Sequence, residues 1–139
     1  CGTCEICQLF GSHKSEKQRQ GCLIFRDAFL KDKKLKKSEL FETKAENIIN
    51  RKTGTAEHPR FIERVVPETE FDVEIVFNKY ESDDTKKLFM AFKEGFELLS
   101  NDYLGGSGTR GYGRIDVSSL IRDIDSKIKA IENKTPDIG

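Results

Sequence analysis

The sequence has no excess of either charge, and this limits how the protein could recognise a partner. It contains 24 Lys and Arg residues against 24 Asp and Glu residues, so the net charge at pH 7 is zero. A chain without net charge creates no long-range field that would attract nucleic acid to its whole surface. Any site for an anion must therefore be local.

Long apolar runs and export signals are also missing. No apolar stretch approaches the roughly 20 residues that a membrane-spanning helix needs, and no secretory signal peptide is visible. Hydrophobic residues make up 36% and charged residues 35% of the 139 residues, which is polar for a globular domain but not typical of disorder. We therefore predict one compact domain over residues 1–139, located in the cytoplasm and without membrane contact.

The first residues include no initiator methionine but are rich in cysteine. The opening stretch CGTCEIC places Cys1, Cys4 and Cys7 at C-x2-C-x2-C spacing. In a cytosolic protein this clustering favours metal ligands over disulfides, and zinc binds thiolates well. We predict structural zinc at these three residues, with an exposed and partly oxidised terminus as the alternative. A start inside such a motif also leads us to expect a piece of a longer protein.

Hydrophobic alternation predicts three strands. They cover 22–29, 69–77 and 112–120, the last through Ile115 and Val117. The second has the clearest pattern, because four apolar residues share one face: Phe71, Val73, Ile75 and Phe77.

Helical periodicity predicts one long helix over 83–105 and a second over 121–134. The first has a stripe of apolar residues, acidic residues at its start and a glycine as its stop: Leu88, Phe92, Phe96 and Leu99, then Asp83 and Asp84, then Gly105. Residues 1–20 are predicted to be a loop, and 40–66 an irregular hairpin. The basic run KDKKLKK, which starts at Lys31, is interpreted as a solvated surface.

The stretch LGGSGTRGYG, residues 104–113, contains five glycines. Gly106, Gly108 and Gly111 fit G-x-G-x-x-G, which marks a dinucleotide site only when it follows a strand and opens a helix. The predicted order here is the reverse, so that interpretation fails. The glycines could serve a tight turn and close packing, or they could let backbone N–H groups approach a phosphate, with Arg110 and Arg114 adding charge. Their number and the polar residues between them favour the phosphate site.

Four separated motifs resemble one family. They are CQLFGS (7–12), GCLIFRDAF (21–29), KAENIINRKTGTAEHPRFIERVVPETEF (44–71) and LLSNDYLGGSGTRGYGRI (98–115). Together they resemble the repeated backbone subunit of type III-A CRISPR interference complexes, a member of the RAMP superfamily. The resemblance covers nearly the whole chain.

The resemblance implies an α+β fold. The chain would hold the C-terminal portion of a ferredoxin-like core, related to RNA-recognition motifs, with an inserted thumb β-hairpin and a zinc-binding loop. The implied segments are a Cys-rich loop at 1–20, a thumb-like insertion at 41–66, the C-terminal part of the core at 67–118 and a tail at 119–139. The first β-α half and its catalytic Asp are expected upstream. No residue here matches that Asp, and Asp27 in the FRDA motif is no substitute for it.

The resemblance also implies partners and a function. Family subunits stack along a guide RNA, contact further copies of themselves and other CRISPR effector subunits, and pair the guide with target RNA. The full-length subunit cuts that target at regular intervals with Mg²⁺ or Mn²⁺. The implied RNA-binding residues are Gly105, Gly106, Ser107, Gly108, Thr109, Arg110 and Gly111 of the loop, and Arg51, Lys52 and Arg60 of the thumb. No catalytic residue is assigned within the chain.

Several alternatives stay open at this point. The protein could be an RNA scaffold without catalytic activity, or a small zinc-bearing interaction domain unrelated to RNA. Family members often place a His or Cys just upstream of the cysteines, so the fourth zinc ligand is expected there, with His13 and Cys22 as weaker candidates. His58 is interpreted as a solvated loop histidine rather than a general base. The stripe around Phe92 is interpreted as core rather than a base-stacking platform.

Overall fold

The computed structural model describes residues 1–13, 16 and 18–133. Their contacts divide the chain into two compact units, one formed by Cys1–Phe25 with Ile75–Gly139 and the other by Arg26–Glu74. Helices and antiparallel strand pairs occur together, which agrees with the predicted α+β class, while the ferredoxin-like arrangement stays a prediction. None of the helices in the described residues has the length and apolar character that crossing a bilayer requires.

Four helices and six strands follow one another along the described chain. In order they are α1 (Glu5–Phe10), β1 (Leu23–Phe25), β2 (Phe29–Leu30), α2 (Lys37–Leu40), β3 (Phe41–Ile49), β4 (Ala56–Val65), β5 (Phe71–Asp72), β6 (Ile75–Phe77), α3 (Thr85–Asn101) and α4 (Ser118–Glu132). A 3-10 turn at Gly108–Arg110 lies between α3 and α4. The strands form three antiparallel pairs: β1 with β6, β2 with β5, and β3 with β4.

The buried core lies in the first unit. Its members come from α1, the segment before β1, α3 and α4, and they are Leu9, Cys22, Leu88, Phe92 and Ile124. Phe89 and Phe96 pack against this cluster, so the interpretation of the phenylalanine stripe as core is confirmed. Cys22 is 0% exposed and is a core residue.

An aspartate side chain accepts a backbone hydrogen bond at the start of each of the two long helices. At α3, the Asp84 carboxylate accepts a hydrogen bond from the Lys87 N–H at 3.2 Å, and at α4 the Asp116 carboxylate accepts one from the Ser118 N–H at 2.9 Å. The α4 helix therefore begins inside the predicted strand 112–120, and that prediction is wrong because no strand forms there. The helix predicted at 121–134 exists, although Lys134 lies outside the described residues.

Three further expectations need correction. Residues 1–20 are not all loop, because α1 forms there, buries Leu9 and ends at Gly11 with φ +92°. The strand predicted at 22–29 is two strands, β1 and β2, with different partners. The strand predicted at 69–77 is likewise divided into β5 and β6, so its alternating face is not one surface: Val73 is 52% exposed, whereas Ile75 packs against the core.

The second unit is dominated by the hairpin of β3 and β4, which confirms the predicted irregular hairpin. Its pairing runs from Phe41 opposite Val65 to Ile49 opposite Ala56, with a shift between Glu46 and Ile48. One extra β4 residue is accommodated at this shift, and His58 beside it has φ +51°, as in a β-bulge. None of the described residues of this unit is fully buried.

Candidate RNA-contact and metal sites

The glycine-rich loop, residues 104–113, closes on itself directly after α3. The Leu104 N–H donates a hydrogen bond to the Gly113 carbonyl oxygen at 2.8 Å, which joins the two ends of the loop. Inside it, the Arg110 N–H donates to the Ser107 oxygen at 3.0 Å and forms the 3-10 turn. The loop is therefore a defined turn, and it leads into α4 rather than into the predicted strand.

The structure explains the glycine at four of the five glycine positions of this loop, by a close contact or by a positive φ. A Cβ on Gly108 would lie 1.9 Å from the Tyr103 ring, and one on Gly113 would lie 2.2 Å from the Leu104 oxygen. Gly105 and Gly111 have φ of +86° and +82°, a conformation that other residues adopt only at a cost. Gly106 has neither a positive φ nor any atom within 4 Å of a Cβ. The folded chain itself does not explain this glycine.

Most of the loop's backbone donors are unused within the chain. In the described residues, the N–H groups of the five consecutive residues 105–109 have no hydrogen-bond acceptor. Apart from Gly108, these residues are exposed. A row of N–H groups in a turn forms a concave site for an anion. The loop thus offers dipoles, together with the exposed side chains of Ser107, Thr109 and Arg110.

The tip of the β3–β4 hairpin is held by one asparagine. The Asn50 side-chain oxygen accepts hydrogen bonds from the Lys52 N–H at 2.9 Å and the Thr53 N–H at 3.4 Å, and its Nδ2 donates to Glu57 at 2.8 Å. The Gly54 N–H closes the turn on the Asn50 oxygen at 2.8 Å. The Arg51 and Lys52 side chains are exposed and form no ion pair within the described chain. The tip therefore presents two positive charges on an ordered turn.

The other hairpin candidates lie further down the strands. Arg60 is exposed on β4, opposite Glu46 of β3. His58 is exposed as expected, but it lies in β4 beside the bulge and not in a loop. The hairpin thus brings Arg51 and Lys52 together at its tip and leaves Arg60 on its side.

The cysteine thiols lie close enough together to share a metal ion. The Cys1, Cys4 and Cys7 sulfurs are all within 4.8 Å of one another, and the Cys1 and Cys7 sulfurs are 3.9 Å apart. Sulfurs around tetrahedral zinc, with bonds of about 2.3 Å, stand about 3.8 Å apart, so the spacing fits. The Gly2 N–H donates to the Cys7 sulfur at 3.3 Å and lowers the pKa of that thiol, which favours the thiolate that metals bind.

The weaker candidates for a fourth ligand do not join this cluster. Among the described residues, no other His, Cys, Asp or Glu atom lies with the three sulfurs, and His13 is therefore elsewhere. Cys22 is buried, and burial raises the pKa of its thiol. The three cysteines are also the only group of three or more such side chains in the described chain that could hold a metal.

A partly buried ion pair was missed by sequence reasoning. Arg19 pairs with Asp83, whose side chain is 2% exposed, and the Cys22 sulfur lies 3.4 Å from the Asp83 carboxylate. The hydrogen bond from Arg19 lowers the pKa of Asp83. This contact ties the segment before β1 to the start of α3, so Asp83 serves as an ion-pair partner and leaves capping to Asp84. Its partners are 64 positions apart, and no local signal indicates them.

The acids that were set aside as non-catalytic are dispersed. Asp27 is exposed between β1 and β2, and Asp102 is exposed just after α3. Asp116 lies just before α4, and its hydrogen bonds from Ser118 lower the pKa of its carboxyl group. Each of these acids has a separate place in the fold.

The chain is similar to known proteins over most of its length. The sequence model of the RAMP superfamily matches residues 2–116. Curated proteins called "CRISPR system Cms endoribonuclease Csm3" are similar to the chain. The protein of Methanocaldococcus jannaschii is 47% identical over 119 residues, that of Streptococcus thermophilus 38% over 121, and that of Enterococcus italicus 38% over 138.

The matches cover most of this chain but much less of the relatives. They include 83%, 83% and 92% of the chain, and 48%, 54% and 64% of the respective relatives. The chain therefore spans about half the length of the first two of these relatives. The resemblance drawn from the four sequence motifs is confirmed.

Proposed function

This chain belongs to the RAMP superfamily, and from that premise we propose that it is part of the guide-RNA-binding backbone subunit of a type III-A CRISPR effector. Its core is then the C-terminal portion of a ferredoxin-like fold, and the β3–β4 hairpin is the thumb. The subunit holds guide RNA, pairs it with target RNA in antiviral defence, and contacts further copies of itself and other effector subunits in the cytoplasm. The name shared by the CRISPR relatives supports this proposal.

The observation that carries the proposal is the row of unused N–H groups at residues 105–109. These donors suit phosphate oxygens, which are the part of RNA that is the same in every sequence. Gly106 supports this further, because the absence of its side chain has no use inside the chain but permits close approach of a backbone. Sequence recognition is left to base pairing, and Arg110 and Arg114 add charge beside the loop.

The hairpin contributes a second contact in this proposal. Arg51, Lys52 and Arg60 bind phosphates of guide or target RNA through charge rather than through dipoles. With no net charge on the chain, each copy binds RNA weakly alone. Stacked copies bind strongly, because linked contacts multiply affinity.

The substitution Gly106→Ala tests the loop. Alanine fits the backbone there, so folding is unchanged, but its methyl group stands where RNA approaches. We expect the affinity for a mixed-sequence single-stranded RNA oligonucleotide to fall about tenfold, as the loss of about one hydrogen bond to a charged group would cause. Fluorescence anisotropy measures the affinity, and thermal unfolding checks the fold.

Gly95→Ala is the matched control. Gly95 lies exposed in α3, and a Cβ there also meets nothing within 4 Å. This variant should bind RNA like the wild type. Wild-type affinity in Gly106→Ala would contradict the proposed loop contact.

Zinc is the metal we propose for the cysteine cluster. Cys1, Cys4 and Cys7 supply three thiolates, and zinc there would fix the segment that leads into α1. Elemental analysis of the intact protein should find close to one zinc per chain. A folded, RNA-binding protein that contains no zinc would contradict this assignment.

Target cleavage is proposed for the full-length subunit with Mg²⁺ or Mn²⁺, while this chain alone should not cut RNA. Its catalytic Asp is expected outside these residues, and the alternative is an RNA scaffold without catalytic activity. Asp-to-Ala changes in assembled complexes decide the matter. Loss of cutting with Asp27→Ala or Asp102→Ala, while assembly and RNA binding stay intact, would place the active site inside this chain.

A further inference from the structure

Two acidic residues in and just after the basic run at residues 31–37 accept hydrogen bonds from its backbone N–H groups. The Asp32 carboxylate accepts a hydrogen bond from the Lys34 N–H at 2.9 Å. The Glu39 carboxylate accepts one from the Lys36 N–H at 2.9 Å, at the start of α2. Leu35 between them is partly buried. Both nearby acids thus hold backbone amides in place and form no ion pair with the lysine side chains in the described chain.

This leaves a cluster of positive charge without acidic partners. Three cations of the second unit do have such partners: Arg26 lies 3.2 Å from Glu74, Arg64 lies 2.5 Å from Glu42, and Lys31 pairs with Glu70. By contrast, three lysines are exposed and form no ion pair within the described chain: Lys33, Lys34 and Lys37. We call these three residues the lysine cluster.

The lysine cluster lies at the base of the β3–β4 hairpin. Helix α2 runs directly into β3, and the Val66 N–H donates to the Leu40 oxygen at 2.9 Å, which closes the hairpin base. The tip of the same hairpin presents Arg51 and Lys52. One hairpin therefore displays unpaired positive charge at both of its ends, which suits an extended polyanion better than a single small anion.

We propose that the lysine cluster is a further phosphate-contact site for single-stranded RNA, separate from the glycine-rich loop and the hairpin tip. This inference rests on the proposed RNA-binding function. It replaces the interpretation of the run as merely solvated surface. Lysines contact phosphates as mobile point charges, so the site adds affinity without adding sequence preference.

The triple variant K33Q/K34Q/K37Q tests the site against a variant with the same change of charge, K79Q/K127Q/K129Q. The control lysines are also exposed and without ion pairs in the described chain. The probe is a mixed-sequence single-stranded RNA oligonucleotide, and its affinity is measured by fluorescence anisotropy over a series of KCl concentrations. Circular dichroism verifies that both variants fold like the wild type.

We expect the slope of log affinity against log salt to become shallower by about 2 in the cluster variant, because each lost phosphate contact changes it by about 0.7. Affinity at 0.1 M KCl should fall about tenfold or more. The control variant should keep the slope of the wild type. The charge-conserving variant K33R/K34R/K37R should also keep it, because the contact depends on charge.

Two outcomes would contradict this inference without contradicting the proposed function. One is an unchanged slope in the cluster variant while the wild type binds RNA, and the other is an equal loss in the control variant. If the cluster variant instead lost binding to polyglutamate and kept its RNA affinity, the site would belong to an acidic protein partner. A wild type that binds no RNA would remove the proposed function, and this inference with it.

Discussion

The glycine-rich loop and the hairpin tip are both exposed turns closed by backbone hydrogen bonds, but they use their remaining N–H groups in opposite ways. The loop is closed between Leu104 and Gly113, and in the described residues it leaves a row of N–H groups unused. The tip is closed by the hydrogen bond from the Gly54 N–H to the Asn50 oxygen, and the Asn50 side chain also accepts from the N–H groups of Lys52 and Thr53. The loop therefore offers dipoles to a ligand, whereas the tip offers charges.

This difference teaches how one chain can bind a phosphate backbone without net charge. Dipoles act at short range and need close approach, so the loop depends on the absence of side chains. Charges act over about 10 Å at 0.1 M salt and need no exact fit, so the tip depends on the number of its cations. Salt should weaken the contact at the tip more than the contact made by the N–H groups of the loop.

The largest expected effect comes from Gly113→Ala at the closure of the loop. Its φ of +74° is costly for alanine, and the new Cβ would also lie 2.2 Å from the Leu104 oxygen. We expect the free energy of unfolding to fall by about 3 kcal/mol, since strain and a lost hydrogen bond add. RNA affinity should fall about tenfold or more as the N–H groups lose their arrangement. Chemical denaturation and anisotropy measure the two quantities.

Gly54→Ala at the hairpin tip is the counterpart. Its φ is +69°, but a Cβ there meets nothing within 4 Å. The free energy of unfolding should fall by about 1 kcal/mol, and RNA affinity should stay within about twofold of the wild-type value. Equal effects of the two variants would show that the loop is no more dependent on its closure than the tip.

The sequence predicted the parts of the fold that local patterns determine. The prediction of α3 was correct, because four apolar residues at helical spacing bury one face of the helix. The hairpin and the cysteine cluster were also found, since turn residues and ligand spacing act over short distances. The amphipathic tail helix was found for the same reason, although it begins at Ser118 and not at residue 121.

The wrong predictions concern segments whose structure depends on contacts with residues far away in the sequence. Helix α1 has six residues, too few for a period to show. The alternation over 69–77 is the same whether one strand or two form, so it could not reveal that β5 and β6 have different partners. At 112–120 the β-branched Ile115 and Val117 suggested a strand, but α4 begins at Ser118. Likewise, only the folded backbone distinguishes Gly106 from the other glycines of the loop.

A smaller effect, confined to charge, is expected from the double variant R51Q/K52Q at the tip. Both side chains are exposed, so their loss should leave the free energy of unfolding within about 0.5 kcal/mol. The salt slope of RNA binding should become shallower by about 1.4, because two phosphate contacts disappear. Anisotropy over a salt series measures this. The comparison between dipole and charge would fail if Gly106→Ala changed the slope as much as this variant does.

A modest effect on affinity alone should come from Asn50→Ala, which removes no charge. The Asn50 side chain holds the turn through Lys52, Thr53 and Glu57, and without it Arg51 and Lys52 must be ordered when RNA binds. We expect affinity to fall about threefold, as ordering costs of about 0.5–1.5 kcal/mol per side chain imply. The salt slope should stay at its wild-type value, since the same phosphates are contacted. Thr55→Val is the control, because it removes only the hydroxyl contact with Thr53 at 2.7 Å. A shallower slope in Asn50→Ala would contradict this expectation, because it would mean that cation contacts with phosphates are lost and not merely ordered at a cost.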